Sequence, residues 1–424
     1  MPQAATSSTH LHPAPVLPRR QFLAGLAAGA LLPACQTQAE PQWVLGQMAN
    51  RDWLLRTYIP GVYPQLQLQL AQQQLAPLQL QVLEGWTSAL FQLPAHFAGQ
   101  TLAAQLRAND QTLGAARSIQ LPVAAPASEH TLYIGSCLQK LGWFGREPIL
   151  ASIVADARQQ PNPAMLWLGD HLYFTPDDLS QAGAMCRAYQ RQRQHAALAE
   201  LLTAMPNYAI WDDHDFGLND ADSSAPSAKL SAQVFSLMWA NPPSGTPYFA
   251  LQLGQVRLLF TDNRSARRGR SVPAYQRQLF GEAQLAWLHQ QVQQRDVAHT
   301  LLLGGSQWWV GAPGEEGWSH AAVEQQRWRE RLLQQPPASR LLYMSGDRHH
   351  SAEFTRQFDQ EVVHELTTSA LTSPPDPEQT GYGATQLRQF YAENNYLRVQ
   401  IRGAALSWQW FGANGQPLGP VTTR

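Results

Sequence analysis

The chain has 424 residues and carries 30 Lys and Arg against 31 Asp and Glu, a formal charge of −1. That balance excludes the basic footprint of a nucleic-acid binder, and three cysteines are too few for a disulfide-stapled scaffold. The length suffices to bury one large core or two.

Arg19-Arg20-Gln21-Phe22-Leu23 is a twin-arginine pattern, followed by an apolar, small-residue run to Ala34. The run is too short to span a bilayer, which takes roughly 20 residues, and fits the hydrophobic region of an export signal. Leu32-Pro33-Ala34-Cys35 has the form of a lipoprotein processing box. Two outcomes fit: a lipid anchor on Cys35, or cleavage after Ala39. Residues 1–39 therefore read as a signal for the twin-arginine export machinery. The mature protein is expected in the periplasm or outside the cell, with Cys35 as its point of membrane anchorage if lipidated.

In residues 64–83 apolar side chains alternate with polar ones at Leu66, Leu68 and Leu70, and again at Leu78, Leu80 and Val82. Period two predicts half-buried strands. Residues 40–128 are expected to form a small β-rich domain that closes in the Pro- and Ala-rich stretch 122–128, with a second domain over 129–424.

From His130 the pattern changes. Short apolar runs end at Cys137, Asp170, Asp212, Asp262, Ser306 and Asp347, with helical patterns over 148–159, 186–204 and 281–294 between them. Strands alternating with helices predict an α/β sheet covered on both faces, and such sheets place ligands at the carboxyl ends of their strands. Two further runs, 396–401 and 406–411, predict a β-hairpin added to the sheet edge. Cys186 is expected to be a buried small hydrophobe.

The strand ends collect the reactive side chains. Asp170 follows a glycine, and Tyr173 lies close enough to offer a phenolate to a trivalent metal. Asp212, Asp213, His214 and Asp215 put three carboxylates and an imidazole in consecutive positions. Such a cluster repels itself unless a cation relieves it. Asp347 and His349 are two apart, so an extended backbone points both to one side, and the pair would complete a two-metal site. Arg264 suits a phosphate, which its planar fork can clamp. Arg267, Arg268 and Arg270 are expected on the surface, Gln307 is a candidate hydrogen-bond donor to substrate or water, and 218–243 and 310–320 are expected to shape the entrance.

Taken in order, Gly135-Ser136-Cys137, Gly169-Asp170 with Tyr173, Trp211 to Asp215, and Gly346-Asp347-Arg348-His349 resemble the PhoD-type alkaline phosphatases, a branch of the calcineurin-like metallophosphoesterases. The resemblance runs from about residue 130 to 355 and weakens outside it. It implies two mixed β-sheets sandwiched between helices, preceded by a small β domain, and Fe3+ with Ca2+ as the metals. It further implies Cys137, Asp170, Tyr173, Asp213, Asp347 and His349 as metal ligands, with His214 and Arg264 facing the phosphate. A thiolate and a phenolate suit ferric iron, and carboxylates suit calcium.

The expected reaction is hydrolysis of phosphate monoesters, diesters or both, by attack of a metal-bound hydroxide on phosphorus. Two other classes remain open: a non-catalytic, metal-stabilised envelope binding protein, and a hydrolase with Cys137 or Ser306 as nucleophile and His349 as base.

Overall fold

Alternating apolar residues build the first part of the chain as antiparallel strands. In the computed structural model the described residues are 40–109, 111–139, 141, 147–310, 316–358, 361–377 and 385–424. The expected export signal and Cys35 lie outside them. Eight strands come first: β1 (Gln42–Gln47), β2 (Trp53–Pro60), β3 (Leu66–Leu70), β4 (Gln73–Leu75), β5 (Gln79–Leu83), β6 (Trp86–Leu93), β7 (Thr101–Ala108) and β8 (Gln111–Gln120). They form two four-stranded sheets, β1-β2-β6-β5 and β4-β3-β7-β8, which enclose Leu45, Leu55, Leu68, Phe91 and Leu106.

Leu66, Leu68 and Leu70 are buried as the alternation predicts, but Leu78 and Val82 are 48% and 45% exposed. The expectation fails there because β5 is an edge strand, paired only with β6. The far face of the first sheet is not solvated either. Val44, Leu54, Tyr58 and Leu90 join the helices that follow in one apolar cluster, so β1 and β2 are buried on both faces. The Arg193 guanidinium reinforces this contact, lying over the rings of Tyr58, Tyr189 and Trp239 at 5.6, 5.1 and 4.5 Å. Ala39–Arg424 accordingly form one compact unit, with the β-rich segment sharing its core.

The remaining elements are β9 (Glu129–Gly135), α1 (Pro148–Ala157), β10 (Pro163–Leu168), α2 (Ala182–Arg193), α3 (Ala196–Ala204), β11 (Asn207–Ile210), α4 (Asp213–Phe216), α5 (Ala228–Met238), β12 (Phe249–Leu253), β13 (Val256–Phe260), α6 (Gly281–Val292), β14 (His299–Leu303), α7 (Ala322–Gln334), β15 (Arg340–Ser345), β16 (Ser351–Phe358), β17 (Glu361–Thr367), β18 (Gln386–Tyr391), β19 (Asn395–Arg402), β20 (Ala405–Gly412) and β21 (Thr422–Thr423). One sheet has the order β11-β10-β9-β19-β20-β21 and the other β12-β13-β14-β15-β17-β16-β18. β9, β10 and β11 run parallel, as do β13, β14, β15 and β17, while the other pairings in both sheets are antiparallel.

Both sheets are therefore mixed, and they stack on each other. Leu132, Ile134, Leu166 and Leu168 meet Leu258, Phe260, Leu301, Leu303 and Met344 between them. The alternate residues face outward under helices: Tyr133, Met165 and Trp167 under α1, α2 and α3, and Leu259, Leu302 and Tyr343 under α6 and α7. Each buried Leu or Ile contributes about 1.5–3 kcal/mol, and strands covered on both faces account for the continuous apolar runs. The predicted C-terminal hairpin is β19 and β20, and it extends the first sheet because β19 pairs with β9. Two local expectations differ. The helix expected over 186–204 is two, because His195 between α2 and α3 leaves helical geometry. The segment 218–243 is not simply a loop but carries α5, whose Val234, Leu237 and Met238 are buried.

Candidate metal centre

The carboxyl ends of β9, β10, β11, β13, β14 and β15 meet along one edge of the stacked sheets. Cys137, Asp170, Asp212, Asp262 and Asp347 each stand two residues beyond their strand. Four of the predicted donors have left-handed backbone: Cys137 (φ 59°), Asp170 (φ 53°), Asp347 (φ 71°) and His349 (φ 53°). Such conformations cost non-glycine residues roughly 1–3 kcal/mol each and persist only where the surroundings impose them. Gly169 (φ 93°) is required for a different reason: a Cβ there would meet the Asp212 Cβ at 2.5 Å. Its small size lets two strand ends touch, bringing Asp170 beside Asp212.

Asp170 is the hub. Its Oδ2 lies 3.5 Å from Cys137 Sγ and 3.4 Å from the Tyr173 hydroxyl, and its Oδ1 accepts from the His214 backbone N–H at 3.3 Å. The Tyr173 hydroxyl is also 3.2 Å from His349 Nε2 and 3.1 Å from Ser373 Oγ. Cys137, Asp170, Tyr173 and His349 thus converge on one side of the hub. On the other side, Asp170, Asp212, Asp213 and Asp347 each bring an oxygen within 4.8 Å of the others. Asp213, Asp220 and Glu316 make a further such group. The His214 ring lies 4.1 Å from that of Tyr173, with Nε2 3.8 Å from Asp213 Oδ2. The predicted donors are thus brought together, and Asp212 joins them.

The electrostatics fit a cation. Burial and then the Asp213, Asp212, Asp215 and Asp347 carboxylates push Asp170 well above the usual carboxylate range. Burial and then Asp212, Glu316 and Asp213 do the same to Asp347. Burial, followed by Asp170, also raises the Cys137 thiol, and burial followed by Cys137 raises Tyr173. Burial, followed by His214, depresses His349 and favours the neutral imidazole that a metal accepts. Asp212 Oδ2 and Asp213 Oδ1 are buried without a hydrogen-bond partner, a costly state that a bound cation would relieve. Carboxylates are donors for hard cations, and a phenolate and a thiolate are anionic donors that suit iron.

Arg264 is engaged otherwise than predicted. It is wholly buried, with Nε 2.6 Å from Asp212 Oδ1, Nη1 3.0 Å from the Ala221 carbonyl, and both terminal nitrogens on Glu316 at 3.1 and 2.9 Å. Every nitrogen is on a protein acceptor, so in this arrangement it neutralises carboxylates. Arg267, expected on the surface, is buried on Glu316, while Arg268 and Arg270 are exposed. Burial opposes ionisation of Glu316, yet Arg264 and Arg267 outweigh it and hold the carboxyl down at about 2. Gln307 is also buried, and its amide donates to Thr367 Oγ1 at 3.0 Å instead of facing a substrate.

Asp215 is an anchor. It accepts the backbone N–H groups of Asp170 (2.6 Å), His171 (3.0 Å) and Asp212 (3.1 Å) and pairs with His171 Nδ1 (2.8 Å), while closing a capping box on α4. Asp262 likewise accepts Trp211 Nε1 at 2.6 Å. Ser306 is hydrogen-bonded to Asn263, Arg264, Arg267 and Asp212. Among the described residues no imidazole stands by it, so it lacks the base a serine nucleophile needs. Beside the outer acidic group, Asp220, Ala221, Arg267, Arg270, Glu316 and His320 line part of a cavity of about 340 Å³. Asp220, Glu316 and His320 lie in the segments 218–243 and 310–320 expected at the entrance, and the contact of Glu316 with the two arginines has no mark in the sequence beyond the acid pair between glycines at Gly314-Glu315-Glu316-Gly317.

Among solved structures, the chain is similar to the structure of PhoD, with a TM-score of 0.66 at 13% identity over 90% of this chain and 88% of that one. The fold is PhoD-like. It is also similar to a purple acid phosphatase from yellow lupin seeds, with a TM-score of 0.58 at 11% identity over 91% of this chain and 74% of that one. No family model and no curated protein matches the sequence. The PhoD-like fold of two mixed sheets between helices, with antiparallel sheets ahead of it, is the one the motifs implied, and it carries buried Asp and His groups able to hold metal.

Proposed function

We propose that this protein hydrolyses phosphate esters, monoesters, diesters or both, at a cation cluster built around Asp170. The observation that carries the reading is the position of Asp170 between the Cys137–Tyr173–His349 group and the Asp212–Asp213–Asp347 group, with two carboxylate oxygens left unpartnered. Cys137, Asp170, Tyr173 and His349 would hold one ion, suited to Fe3+, and Asp170, Asp213 and Asp347, with Asp212 beside them, a second, suited to Ca2+. Bound cations in such a cluster acidify water and neutralise phosphoryl oxygens.

The chain's own groups supply the rest. His214 is about a fifth exposed at the edge of the cluster, where it can pass a proton to the leaving oxygen. Arg264 holds Asp212 and Glu316 in place, and together with Arg267 it keeps Glu316 ionised. Asp215 fixes the backbone on which Asp170 and Asp212 sit. The cavity beside Glu316 offers room for the alcohol portion of the ester.

Elemental analysis of the purified protein, with turnover of paired monoester and diester substrates, tests this reading. Iron and calcium with turnover abolished by chelation support it. A metal-replete protein that turns over neither ester would be a binding protein instead. The twin-arginine pattern supports export to the periplasm or beyond, followed either by lipid attachment at Cys35 or by cleavage after Ala39. Replacing Arg19 and Arg20 by Lys should hold unprocessed protein inside the cell, and normal export of that variant would remove the argument.

A further inference from the structure

Cys137 Sγ is wholly buried, and besides Asp170 and Tyr173 its neighbours include Ser136 Oγ at 3.4 Å, Ser369 Oγ at 3.0 Å and the Asp347 carbonyl at 3.7 Å. A serine has one hydrogen to give. That of Ser136 goes to the Thr368 carbonyl at 2.9 Å. Ser369 donates to the sulfur, and its oxygen accepts the His349 backbone N–H at 3.0 Å. A single hydroxyl therefore touches two of the residues read as donors to one ion, one following β9 and the other following β15, which lie in opposite sheets.

Ser369 is itself held in place. Its backbone N–H donates to Ser351 Oγ at 3.1 Å, and Ser351 donates to Asn395 Oδ1 at 2.6 Å. All three side chains are buried. The arrangement runs from β19 through the start of β16 to the sulfur, so the hydroxyl has little freedom to leave Cys137.

We propose that Ser369 is a positioning residue for the metal centre: its hydroxyl draws electron density from the Cys137 sulfur and fixes His349. The proposal rests on the reading of Cys137 and His349 as metal donors. Groups that hydrogen-bond to ligands orient them and tune the metal, and removing one commonly costs about 10-fold or more in metal affinity. Losing a hydrogen bond to a thiolate also makes it easier to oxidise, which lowers the energy of sulfur-to-metal charge transfer.

The test uses Co2+ as a spectroscopic probe in the full-length protein stripped of other metals. The wild type should show a near-ultraviolet thiolate-to-cobalt band that Cys137→Ser abolishes. Ser369→Ala should keep the band but move it to longer wavelength and weaken Co2+ binding about 10-fold, while Ser369→Thr should restore both. The thermal midpoint of each metal-free variant checks that the fold is intact. If Cys137→Ser leaves the cobalt spectrum unchanged, the donor reading falls and this proposal with it. If the band depends on Cys137 but Ser369→Ala neither shifts it nor weakens binding, Ser369 is a packing residue only and this proposal alone is overturned.

Discussion

The Arg264 guanidinium and the Asp212 carboxylate face each other inside the protein, Nε to Oδ1 at 2.6 Å, and both are essentially inaccessible to solvent. The same guanidinium spans to Glu316. Burial, joined by the Asp213 and Glu316 carboxylates, pushes Asp212 up to about 7 even against the pull of Arg264. The arginine opposes that rise and gives the carboxylate a buried partner beside the cation cluster.

Arg264→Met should therefore act first on stability. Removing one partner of a buried ion pair costs about 3–5 kcal/mol because the other charge is left uncompensated. Urea or thermal unfolding of the metal-free variant should show that loss. A variant with unchanged stability and only a raised KM would instead place Arg264 on the substrate.

Asp215→Asn tests the anchor. The carboxylate accepts three backbone N–H groups and the His171 ring, whereas an amide offers a single acceptor oxygen. A loss of roughly 2–3 kcal/mol follows from leaving charge-assisted bonds unmade. Metal content at limiting supply should fall as well, because Asp170 and Asp212 lose their backbone support.

Asp170→Asn should abolish metal retention and turnover together. In the wild type, saturating metal should raise the unfolding free energy by about 2.7 kcal/mol at 100 times the dissociation constant, and the Asn variant should show no such gain. Calorimetry with and without metal makes the comparison.

Away from the centre, His364 on β17 is held down at about 4 by burial and then by Arg424 and Arg388. A histidine whose folded value lies below its ordinary 6.5 binds more protons when unfolded. Its contribution is fully present above about pH 6.5 and is lost as pH falls from there toward 4. His364→Gln should flatten the fall of metal-free stability in that window, measured by unfolding at several pH values. An unchanged slope would show that the charge is already accommodated.

Some of this was open to reading in the residues alone. The apolar runs ending in Cys137, Asp170, Asp212 and Asp347 mark strands by composition and ends by polarity, and both properties are local. The alternation at Leu66, Leu68 and Leu70 worked for the same reason, while the identical pattern at Leu78 and Val82 misled because edge position depends on which strand pairs where. In the sequence Arg264 reads as a phosphate clamp and Arg267 as a surface arginine. Their burial is decided by Glu316, about fifty residues away in the chain, and nothing in the local sequence announces that meeting.

The strand ends that gather carboxylates, imidazoles, a thiol and a phenol are thus a property of the sequence by itself, because hydrophobic periodicity sets where strands stop and polar residues begin. Tertiary structure alone sorted those groups. Asp212, Asp213 and Asp215 are chemically identical and lie within four positions, yet Asp212 pairs with Arg264 and keeps one oxygen unpartnered, Asp213 accepts the Asp220 amide and keeps one oxygen unpartnered, and Asp215 is consumed by backbone amides and His171. The difference arises because the centre is assembled from the ends of two separate sheets, and only their stacking determines which oxygen meets an arginine, an N–H group or the space a cation would fill.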